Sequence, residues 1–306
     1  MSILEKYIPD TEAHSYLWAE KYGFRAEDVE RARQKGRLPL IWISAQDCTG
    51  CKESFLRNAE PGIEDLIMNW ISLEYSELLS FSSGEDLENH RKEIMDTYKG
   101  QYILVIEGSV PNKDEYLTIG GHSVRDEIIK AAEGAKAVFA IGSCSSWGGI
   151  AAANPNPTDS ISVPELLPEE NVVLIPGCPP LTDVMVASLL YLYIYDELPE
   201  LDKKGRPKKF YGCTVHQECS RRVFFDQGLF AESYDDEGAQ KGYCLFKLGC
   251  RGPSTFNACE SILFGGEGCH IEAGGSCIGC SEKNFWDKGG PLCFRKVKAR
   301  KTAVTK

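Results

Sequence analysis

The chain has 306 residues, of which 42% are hydrophobic, so it can bury a sizeable core and, as a prior, form about two domains. Its 45 acidic and 34 basic residues give a net charge of -11, which argues against nucleic-acid binding as the main task. No run of 18 apolar residues occurs, so no transmembrane span is predicted. The first residues contain neither a signal-peptide pattern nor a twin-arginine pair, and a cytoplasmic location is therefore expected.

Thirteen cysteines are the most unusual feature of the composition. An odd number of cysteines, in a chain without a secretory signal, is a poor basis for a disulfide framework. Clustered cysteines in a reducing compartment more often bind metal or carry out redox chemistry. Scattered buried thiols that pack as small hydrophobic groups would explain only a few of them.

The first element expected along the chain is a charged, helical N-terminal extension over residues 1–36, packed on the surface. Over residues 37–210, short apolar runs alternate with helical segments. Such runs are typical of strands buried on both faces of a parallel sheet, and the alternation predicts a doubly wound α/β domain. The predicted strands are Leu38–Ile43, Tyr102–Ile106, Ala137–Ile141 and Val172–Ile175, and the predicted helices are Glu85–Tyr98, Ser123–Glu133 and Leu181–Tyr195.

Residues 211–294 differ from the preceding domain, because they hold nine of the thirteen cysteines, many glycines and few long apolar runs. Such a segment cannot bury enough apolar surface to fold around a conventional core, and metal clusters would supply the missing cross-links. We therefore expect a loop-rich metal-binding domain over residues 211–294. A basic tail is expected over residues 295–306.

Cysteine follows three of the four predicted strands. The first strand leads to Cys48 and Cys51, the third to Cys144 and the fourth to Cys178. Because ligands in open α/β sheets bind beyond the carboxyl ends of the strands, these thiols are expected to converge. Four thiolates suit either a tetrahedral zinc ion or a [4Fe–4S] cluster. A single CxxC pair with two lone cysteines, and glycines close by, favours the cluster.

The C-terminal region contains further candidate ligands in specific motifs. A lone histidine is more often a hydrogen-bonded polar residue than a ligand, but the HxxC spacing in a cysteine-dense region favours ligation. The motifs are HxxC, CLFKLGC, NAC and SCIGC. Their candidate ligands are His216, Cys219, Cys244, Cys250, Cys259, Cys277 and Cys280.

With these motifs the chain closely resembles the small subunit of nickel–iron hydrogenases, from about Leu38 to Phe294. The motifs that carry the resemblance are DCTGCKESFLR, GSCSSWGG, PGCPP, HxxC, GYCLFKLGCRGPSTFNAC and SCIGCSEKNFWD. The resemblance implies a flavodoxin-like domain followed by a loop-rich domain, with three iron–sulfur clusters. The implied ligands are Cys48, Cys51, Cys144 and Cys178 for a proximal [4Fe–4S] cluster, His216, Cys219, Cys244 and Cys250 for a distal [4Fe–4S] cluster, and Cys259, Cys277 and Cys280 for a medial [3Fe–4S] cluster.

The resemblance also implies the function. Such a chain passes electrons from H2 oxidation in an obligate large subunit, which holds the nickel–iron site, to an external acceptor. The histidine-ligated cluster would be the exit, and this chain would hold no catalytic residue. The alternatives are a stand-alone iron–sulfur carrier, a structural zinc protein and a relay subunit like that of respiratory complex I. The complex I relatives lack the HxxC, CLFKLGC and SCIGC elements.

Several positions depart from the pattern of that family. Oxygen-tolerant members carry two further cysteines where this chain has Gly50 and Gly149, so their [4Fe–3S] centre is not expected. Asp47 replaces a common Glu; a carboxylate there could handle protons, ligate iron or cap its loop, and the pattern favours the cap. Ser276 replaces the usual Pro before Cys277. The thiols left over, expected to be structural, are Cys213, Cys269 and Cys293.

Overall fold

The computed structural model describes residues 17–266 and 268–288, and a five-stranded parallel sheet forms its centre. The strands are β1 (Leu38–Ser44), β2 (Ile71–Ser76), β3 (Ile103–Glu107), β4 (Ala137–Ile141) and β5 (Val172–Ile175). Their order in the sheet is 2-1-3-4-5, which is the flavodoxin-like order. The predicted fold class is thereby confirmed.

The sheet contains the four predicted strands and one that was not predicted. The missed strand is β2, whose sequence ISLEYS alternates apolar and polar residues. It lies at the edge of the sheet, next to β1 alone, and is only partly buried. The prediction rested on continuous apolar runs, which mark strands buried on both faces, so a half-exposed edge strand escaped it. Two short antiparallel pairs, Val110–Pro111 with Ser160–Ile161 and Thr118–Ile119 with His122–Ser123, lie outside the main sheet.

Helices cover both faces of the sheet. The three predicted helices are present within one or two residues of their expected limits. The main helices are α1 (Leu17–Tyr22), α2 (Ala26–Arg33), α3 (Gly50–Leu56), α4 (Gly84–Thr97), α5 (Val124–Glu133), α6 (Gly142–Trp147) and α7 (Thr182–Tyr195). Shorter turns of helix are Asp114–Tyr116, Val163–Leu166 and Ile63–Asp65. The last of these continues as a π-helix over Leu66–Trp70.

Alternate residues of the strands point to two separate cores. On β1, Leu40 and Trp42 belong to the core that α1, α2, α3 and α7 cover, whereas Ile41 and Ile43 belong to the core under α4 and α5. Helix α7 is apolar on nearly every side, and nearly all of its residues are buried. It is 14 residues long, and no helix of residues 17–266 and 268–288 is long and apolar enough to cross a bilayer.

The first described helices bury one face against the domain. Trp18 and Tyr22 are 2% and 3% exposed and belong to the core beneath α7. The Trp18 ring meets Trp70 edge to face, with the ring centroids 5.3 Å apart. Large aromatic side chains thus anchor this segment on the domain, whereas most of its charged side chains are exposed. Residues 1–16 of the expected extension lie outside the described residues.

Beyond α7 the chain has little regular structure. Its short helical turns are Lys208–Tyr211, Val215–Glu218, Arg222–Asp226, Glu237–Gln240, Phe246–Leu248, Gly252–Ser254 and Phe285–Lys288. A small apolar cluster there consists of Val215, Cys269, Ile271 and Cys277, with further cysteines packed against it. The loop-rich character expected after residue 210 is therefore observed, whereas Cys293 and the tail lie outside the described residues.

Candidate functional site

The first four cysteines lie at one edge of the sheet, where the carboxyl ends of β1, β4 and β5 meet. Cys48 lies in the loop after β1, and Cys51 lies in α3, which begins at Gly50. Cys144 lies in α6, directly after β4, and Cys178 follows β5. Cys48 and Cys178 are exposed, whereas Cys51 is buried. The edge thus presents thiols both to the interior of the chain and to its surroundings.

These four thiols influence each other electrostatically. Burial raises the pKa of Cys51 most, and the negative charges of Glu107, Cys144, Cys48 and Cys178 raise it further. Burial likewise raises the pKa of Cys178 to about 12, with Cys144 and Cys48 contributing. A metal ion that binds Cys51 and Cys178 must displace the protons that these raised pKa values favour. The predicted convergence of this set is supported by these mutual interactions.

Two glycines lie directly against sulfur atoms of this set. Gly142 has φ +92°, and a Cβ there would lie 2.6 Å from Cys51 Sγ. Gly149 has φ +54°, and its Cβ would lie 2.5 Å from Cys144 Sγ. Any side chain at either position would collide with a sulfur atom and would also strain the backbone. The lack of a side chain at both positions thus lets the backbone pack directly against the two sulfur atoms.

A buried carboxylate, Glu107, supports this site and was missed in the sequence. It ends β3 and is 1% exposed. Its Oε1 accepts a hydrogen bond from Cys51 N at 2.9 Å, and its Oε2 accepts one from Trp42 Nε1 at 3.1 Å. Burial raises the pKa of Glu107, and the charge of Asp47 adds to the effect. The signal that identified the cysteines, a functional residue directly after a buried strand, also applied to Glu107.

The Asp47 carboxyl group is partly buried in the loop before Cys48. Burial raises the pKa of its carboxyl group, whereas the Lys52 charge and a hydrogen bond from the Thr49 backbone lower it. Thr49 has a left-handed φ of 67°, so the chain turns sharply between Cys48 and α3. The second carboxylate oxygen, Oδ2, is buried and has no hydrogen-bond partner among the described residues.

His216 and Cys250 approach each other in the loop-rich region. His216 lies in the turn Val215–Glu218, whose start Thr214 caps through a capping box with Gln217. A Cβ on Gly252 would lie 3.6 Å from His216 Cβ and 3.5 Å from Cys250 Sγ, so these two residues flank one small gap. Burial, followed by the charge of Arg222, lowers the pKa of His216. The imidazole is therefore neutral at pH 7, as a metal ligand must be.

Cys219 and Cys244 complete this second set. Burial raises the pKa of Cys219 to about 11, with the charges of Glu260, Cys250 and Cys244 contributing. Burial raises the pKa of Cys244 as well, and Cys250 adds to it. The second set of predicted ligands is therefore gathered in one neighbourhood.

Local backbone geometry is the same at several of these thiols. The backbone N–H two residues later donates a hydrogen bond to the sulfur atom. The donor–sulfur pairs are Arg221 with Cys219, Phe246 with Cys244, Gly252 with Cys250, and Gly279 with Cys277. Hydrogen bonds of this kind stabilise negative charge on sulfur and suit thiolates that bind a metal cluster.

The third set is Cys259, Cys277 and Cys280. Burial raises the pKa of Cys259, and the charges of Cys280, Cys277 and Cys269 raise it further, in that order. Burial also raises the pKa of Cys277 to about 12. Cys269, which the sequence left outside the three sets, is therefore close enough to interact with this one.

The side chains of Ser276 and Cys269 have partners of their own. The Ser276 and Tyr234 hydroxyl oxygens are 2.8 Å apart, and Ser276 is 3% exposed. The Cys269 thiol donates to Glu260 Oε1 at 3.4 Å and accepts from Ile271 N at 3.4 Å. Of the other remaining thiols, Cys213 is exposed. Across residues 17–266 and 268–288, no three His, Cys, Asp or Glu side chains are grouped so as to hold a single metal ion.

Contacts between the sets give them an order. The charge of Cys280, in the third set, raises the pKa of Cys178 in the first set. The charge of Cys250, in the second set, raises the pKa of Cys277 in the third. Ser143 Oγ, beside Cys144, also donates a hydrogen bond to the carbonyl of Cys280. The third set therefore lies between the first and the second.

Comparison with known families gives two matches along the chain. The family described as NADH ubiquinone oxidoreductase, 20 Kd subunit, matches residues 48–192. The family described as the C-terminal part of the NiFe/NiFeSe hydrogenase small subunit matches residues 211–293. The first match alone would fit the complex I-like alternative. The second match covers the region with the HxxC, CLFKLGC and SCIGC motifs, so that alternative is not favoured.

Individual relatives are similar over most of the chain. The uptake hydrogenase small subunit of Azotobacter vinelandii is 45% identical over 258 residues, which cover 83% of this chain and 72% of that protein. The hydrogenase-2 small chain of Escherichia coli K12 is 45% identical over 264 residues, which cover 85% of this chain and 71% of that protein. A crystal structure of a reduced, active form of the Ni-Fe-Se hydrogenase from Desulfomicrobium baculatum aligns with a TM-score of 0.79 and 33% identity. The alignment covers 83% of this chain and 98% of the chain in that structure. This chain belongs to the family of nickel–iron hydrogenase small subunits.

Proposed function

We propose that this chain is the electron-transfer subunit of a nickel–iron hydrogenase. Electrons from H2 oxidation in a large catalytic subunit would pass through it to an external acceptor. The observation that carries the proposal is the order of the three ligand sets, in which Cys178 interacts with Cys280 and Cys277 with Cys250. A relay needs such an order, whereas a set of separate structural metal sites does not.

The proposed cofactors are two [4Fe–4S] clusters and one [3Fe–4S] cluster, each able to take up and release one electron when bound. The first set would hold the proximal cluster, the third the medial and the second the distal cluster. The donor types fit, because thiolates and a neutral imidazole are ligands that iron–sulfur centres use. The glycines at positions 142 and 149 are consistent with this proposal, because they let the backbone come close to the sulfur atoms that would hold a bulky cluster.

The [3Fe–4S] assignment of the medial cluster rests on its three cysteines. A serine hydroxyl is a poor iron ligand compared with thiolate, because its deprotonation is costly. Ser276 is moreover already paired with Tyr234 at 2.8 Å. Cys269 is the other candidate for a fourth ligand, and it is hydrogen-bonded to Glu260. These pairings favour a cluster with one corner free of protein ligand.

The distal end has the features of an exit. His216 is only partly buried, and its ring lies 4.6 Å from that of Phe225, edge to face. Phe225 in turn packs against Phe230 and Phe246, with ring centroids 5.7 and 5.4 Å apart. These ring contacts restrict the orientation of the imidazole. Because His216 is only partly buried, an acceptor could dock close to it.

Analysis of the purified complex tests the proposal. After the subunits are separated, this chain should contain iron and acid-labile sulfide, and a larger partner should contain nickel. Zinc in place of iron would identify a structural zinc protein instead. Iron and sulfide without any nickel-containing partner would identify a stand-alone carrier. The cytoplasmic location stays a prediction from the sequence.

The same samples report the type of the medial cluster. A [3Fe–4S] centre is paramagnetic when oxidised, whereas an ordinary oxidised [4Fe–4S] centre gives no EPR signal. The oxidised complex should therefore show the signal of one [3Fe–4S] centre, unchanged in the Cys269→Ser and Ser276→Ala variants. A silent oxidised sample with intact clusters by iron analysis would show that the fourth corner has a ligand. The variant in which the signal then appears would identify that ligand.

A further inference from the structure

Lys52 is a buried cation next to the first cysteine set. It follows Cys51 in α3 and is 1% exposed, so it ranks among the largest fully buried side chains of the described residues. Taking an ammonium group out of water costs several kcal/mol unless it is paired and hydrogen-bonded. The position must therefore provide partners, and these partners come from other strands.

The partners of Lys52 hold its ammonium group in one place. Its Nζ donates a hydrogen bond to Ser44 Oγ and lies 3.8 Å from Glu77 Oε2. Ser44 N in turn donates to both carboxylate oxygens of Glu77, at 3.1 and 3.2 Å. The Nζ atom also lies 5.9 Å from the centre of the Trp42 ring. The end of β1 and the segment just after the neighbouring strand β2 thus hold the ammonium group in place.

The same cation faces three carboxyl groups, from three different segments. They are Asp47 in the loop after β1, Glu77 after β2 and Glu107 at the end of β3. Burial raises the pKa of all three, and the charge of Lys52 acts in the opposite direction on each. Lys52 is therefore a positive charge in an otherwise acidic, buried neighbourhood. It is connected to Cys51 through Glu107, whose carboxylate accepts hydrogen bonds from both Trp42 Nε1 and Cys51 N.

We propose that Lys52 is a positioning residue that sets the reduction potential of the cluster on Cys48, Cys51, Cys144 and Cys178. This inference rests on the proposed function. Reduction adds one negative charge to the bound cluster, and a fixed cation nearby stabilises that reduced form. The carboxylates around Lys52 have the opposite effect and destabilise the reduced cluster. Inside a protein such interactions are several times stronger than in water, because the effective dielectric constant is about 20 rather than about 80.

Substitution of Lys52 in the assembled two-subunit enzyme tests this inference. Lys52→Met keeps much of the side-chain volume and removes the charge, whereas Lys52→Arg keeps the charge. We expect Lys52→Met to lower the midpoint potential of the proximal cluster in an EPR-monitored redox titration. At a fixed potential the reduced-to-oxidised ratio should fall about tenfold, equivalent to about 59 mV for a one-electron couple. Lys52→Arg should stay close to the unmodified enzyme.

A buried carboxylate elsewhere in the same domain provides a matched control. Glu127 pairs with buried Arg91 in the core under α4 and α5, on the other face of the sheet from Trp42. Glu127→Gln removes a buried charge that is remote from the cysteines, while Glu88 still pairs with Arg91 at 2.8 Å. The proximal potential should not change in this variant. If the loss of any buried charge altered the proximal potential, Glu127→Gln would alter it too.

The outcomes separate the inference from the proposed function. An unchanged potential in Lys52→Met, or an equal shift in Lys52→Arg, would overturn the role of the charge. If Lys52→Met does not assemble, Glu77→Gln takes its place, and the potential should rise because a negative charge is lost. An unchanged or lower potential in Glu77→Gln would overturn the inference. Absence of any reducible cluster on the first set in the unmodified enzyme would instead contradict the proposed function.

Discussion

At the scale of single residues, the glycines near the first set decide which group fits there. At Gly149 a Cβ would lie 2.5 Å from Cys144 Sγ, in a left-handed backbone conformation. A cysteine at this position, as in oxygen-tolerant relatives, would require the loop to move. A Cβ at Gly50 would lie 3.2 Å from Cys48 Sγ and is less restricted. The local geometry therefore agrees with the expectation of four cysteine ligands rather than six.

His216 provides a residue-level test of the electron exit. We expect His216→Gly to slow reduction of an external acceptor by about 10–100-fold, the range for disturbed metal-ligand shells. The reason is that the outermost ligand affects transfer out of the chain, whereas H2 activation takes place at the other end of the relay. Hydrogen/deuterium exchange at the partner's nickel site should stay within about twofold on the same argument.

The control for this experiment is His122→Gly, an exposed histidine in the short pair Thr118–Ile119 with His122–Ser123. Both activities should be unchanged in that variant. An equal loss of acceptor reduction and exchange in assembled His216→Gly would contradict the exit role. Iron analysis of the variant shows whether the distal cluster is still bound.

The sequence identified the candidate ligands but not the charged residues around them. Cysteine after a buried strand and the HxxC and CxxC spacings are local patterns, so the thiols could be predicted. Lys52 could not, because lysine is almost always exposed and its burial depends on Ser44 and Glu77, which come from other parts of the chain. Glu107 lay at a strand end and could have been predicted by the rule used for the cysteines.

At the scale of secondary-structure elements, the sequence pattern is a poor guide to the packing of strand β2 and of helices α1 and α2. The edge strand β2 is half exposed and alternates, so it lacked the continuous run that identified the other strands. Helices α1 and α2 carry many charges, and their sequence indicated a surface position. Their few large apolar side chains nevertheless enter the core beneath α7. Tertiary contacts, rather than average composition, decide the burial of such short elements.

Helix α1 should therefore contribute measurably to stability. Trp18 is 2% exposed and contacts the rings of Tyr22, Phe24 and Trp70. We expect Trp18→Ala to lower the free energy of unfolding by about 3–5 kcal/mol, because it leaves a large cavity. Denaturant unfolding of the purified protein, followed by circular dichroism, measures this change. Exposed Glu20, in the same helix, provides the control Glu20→Ala, which should stay within about 0.5 kcal/mol.

A loss for Trp18→Ala as small as that of the control would show that α1 is a surface extension after all. The comparison is informative because both substitutions introduce alanine into one helix. Helix propensity favours alanine at either position, so a difference between them reports packing alone.

At the scale of the whole molecule, the carboxyl edge of the sheet connects the two parts of the chain. Helix α6, which follows β4 and carries Cys144, and the loop after it bind the loop-rich region. Trp147 Nε1 donates a hydrogen bond to the Ser281 carbonyl at 3.0 Å, and Asn154 N donates to Asp287 at 3.2 Å. The loop-rich region is thereby held next to the first cysteine set, which gives the three sets their order. This arrangement involves contacts far apart in sequence and could not be predicted from motifs alone.

The same edge also faces outward, and we expect the large subunit to cover it. Cys48 and Cys178 are exposed there, and Ile150, directly after the Gly149 turn, is 61% exposed. Ile150→Asp would place an unpaired charge in the covered interface. Since an unpaired buried charge costs several kcal/mol, the amount of co-purifying nickel subunit should fall at least about tenfold.

Met68→Asp is the matched control for this substitution. Met68 is 70% exposed and lies just before β2, at the opposite, amino end of the strands. Both variants convert an exposed apolar residue into an aspartate, so any general effect on solubility or expression is shared. Normal recovery of the nickel subunit with Ile150→Asp, or an equal loss with Met68→Asp, would contradict an interface at the cysteine edge. Selective loss with Ile150→Asp would assign the partner to the edge where electrons must enter.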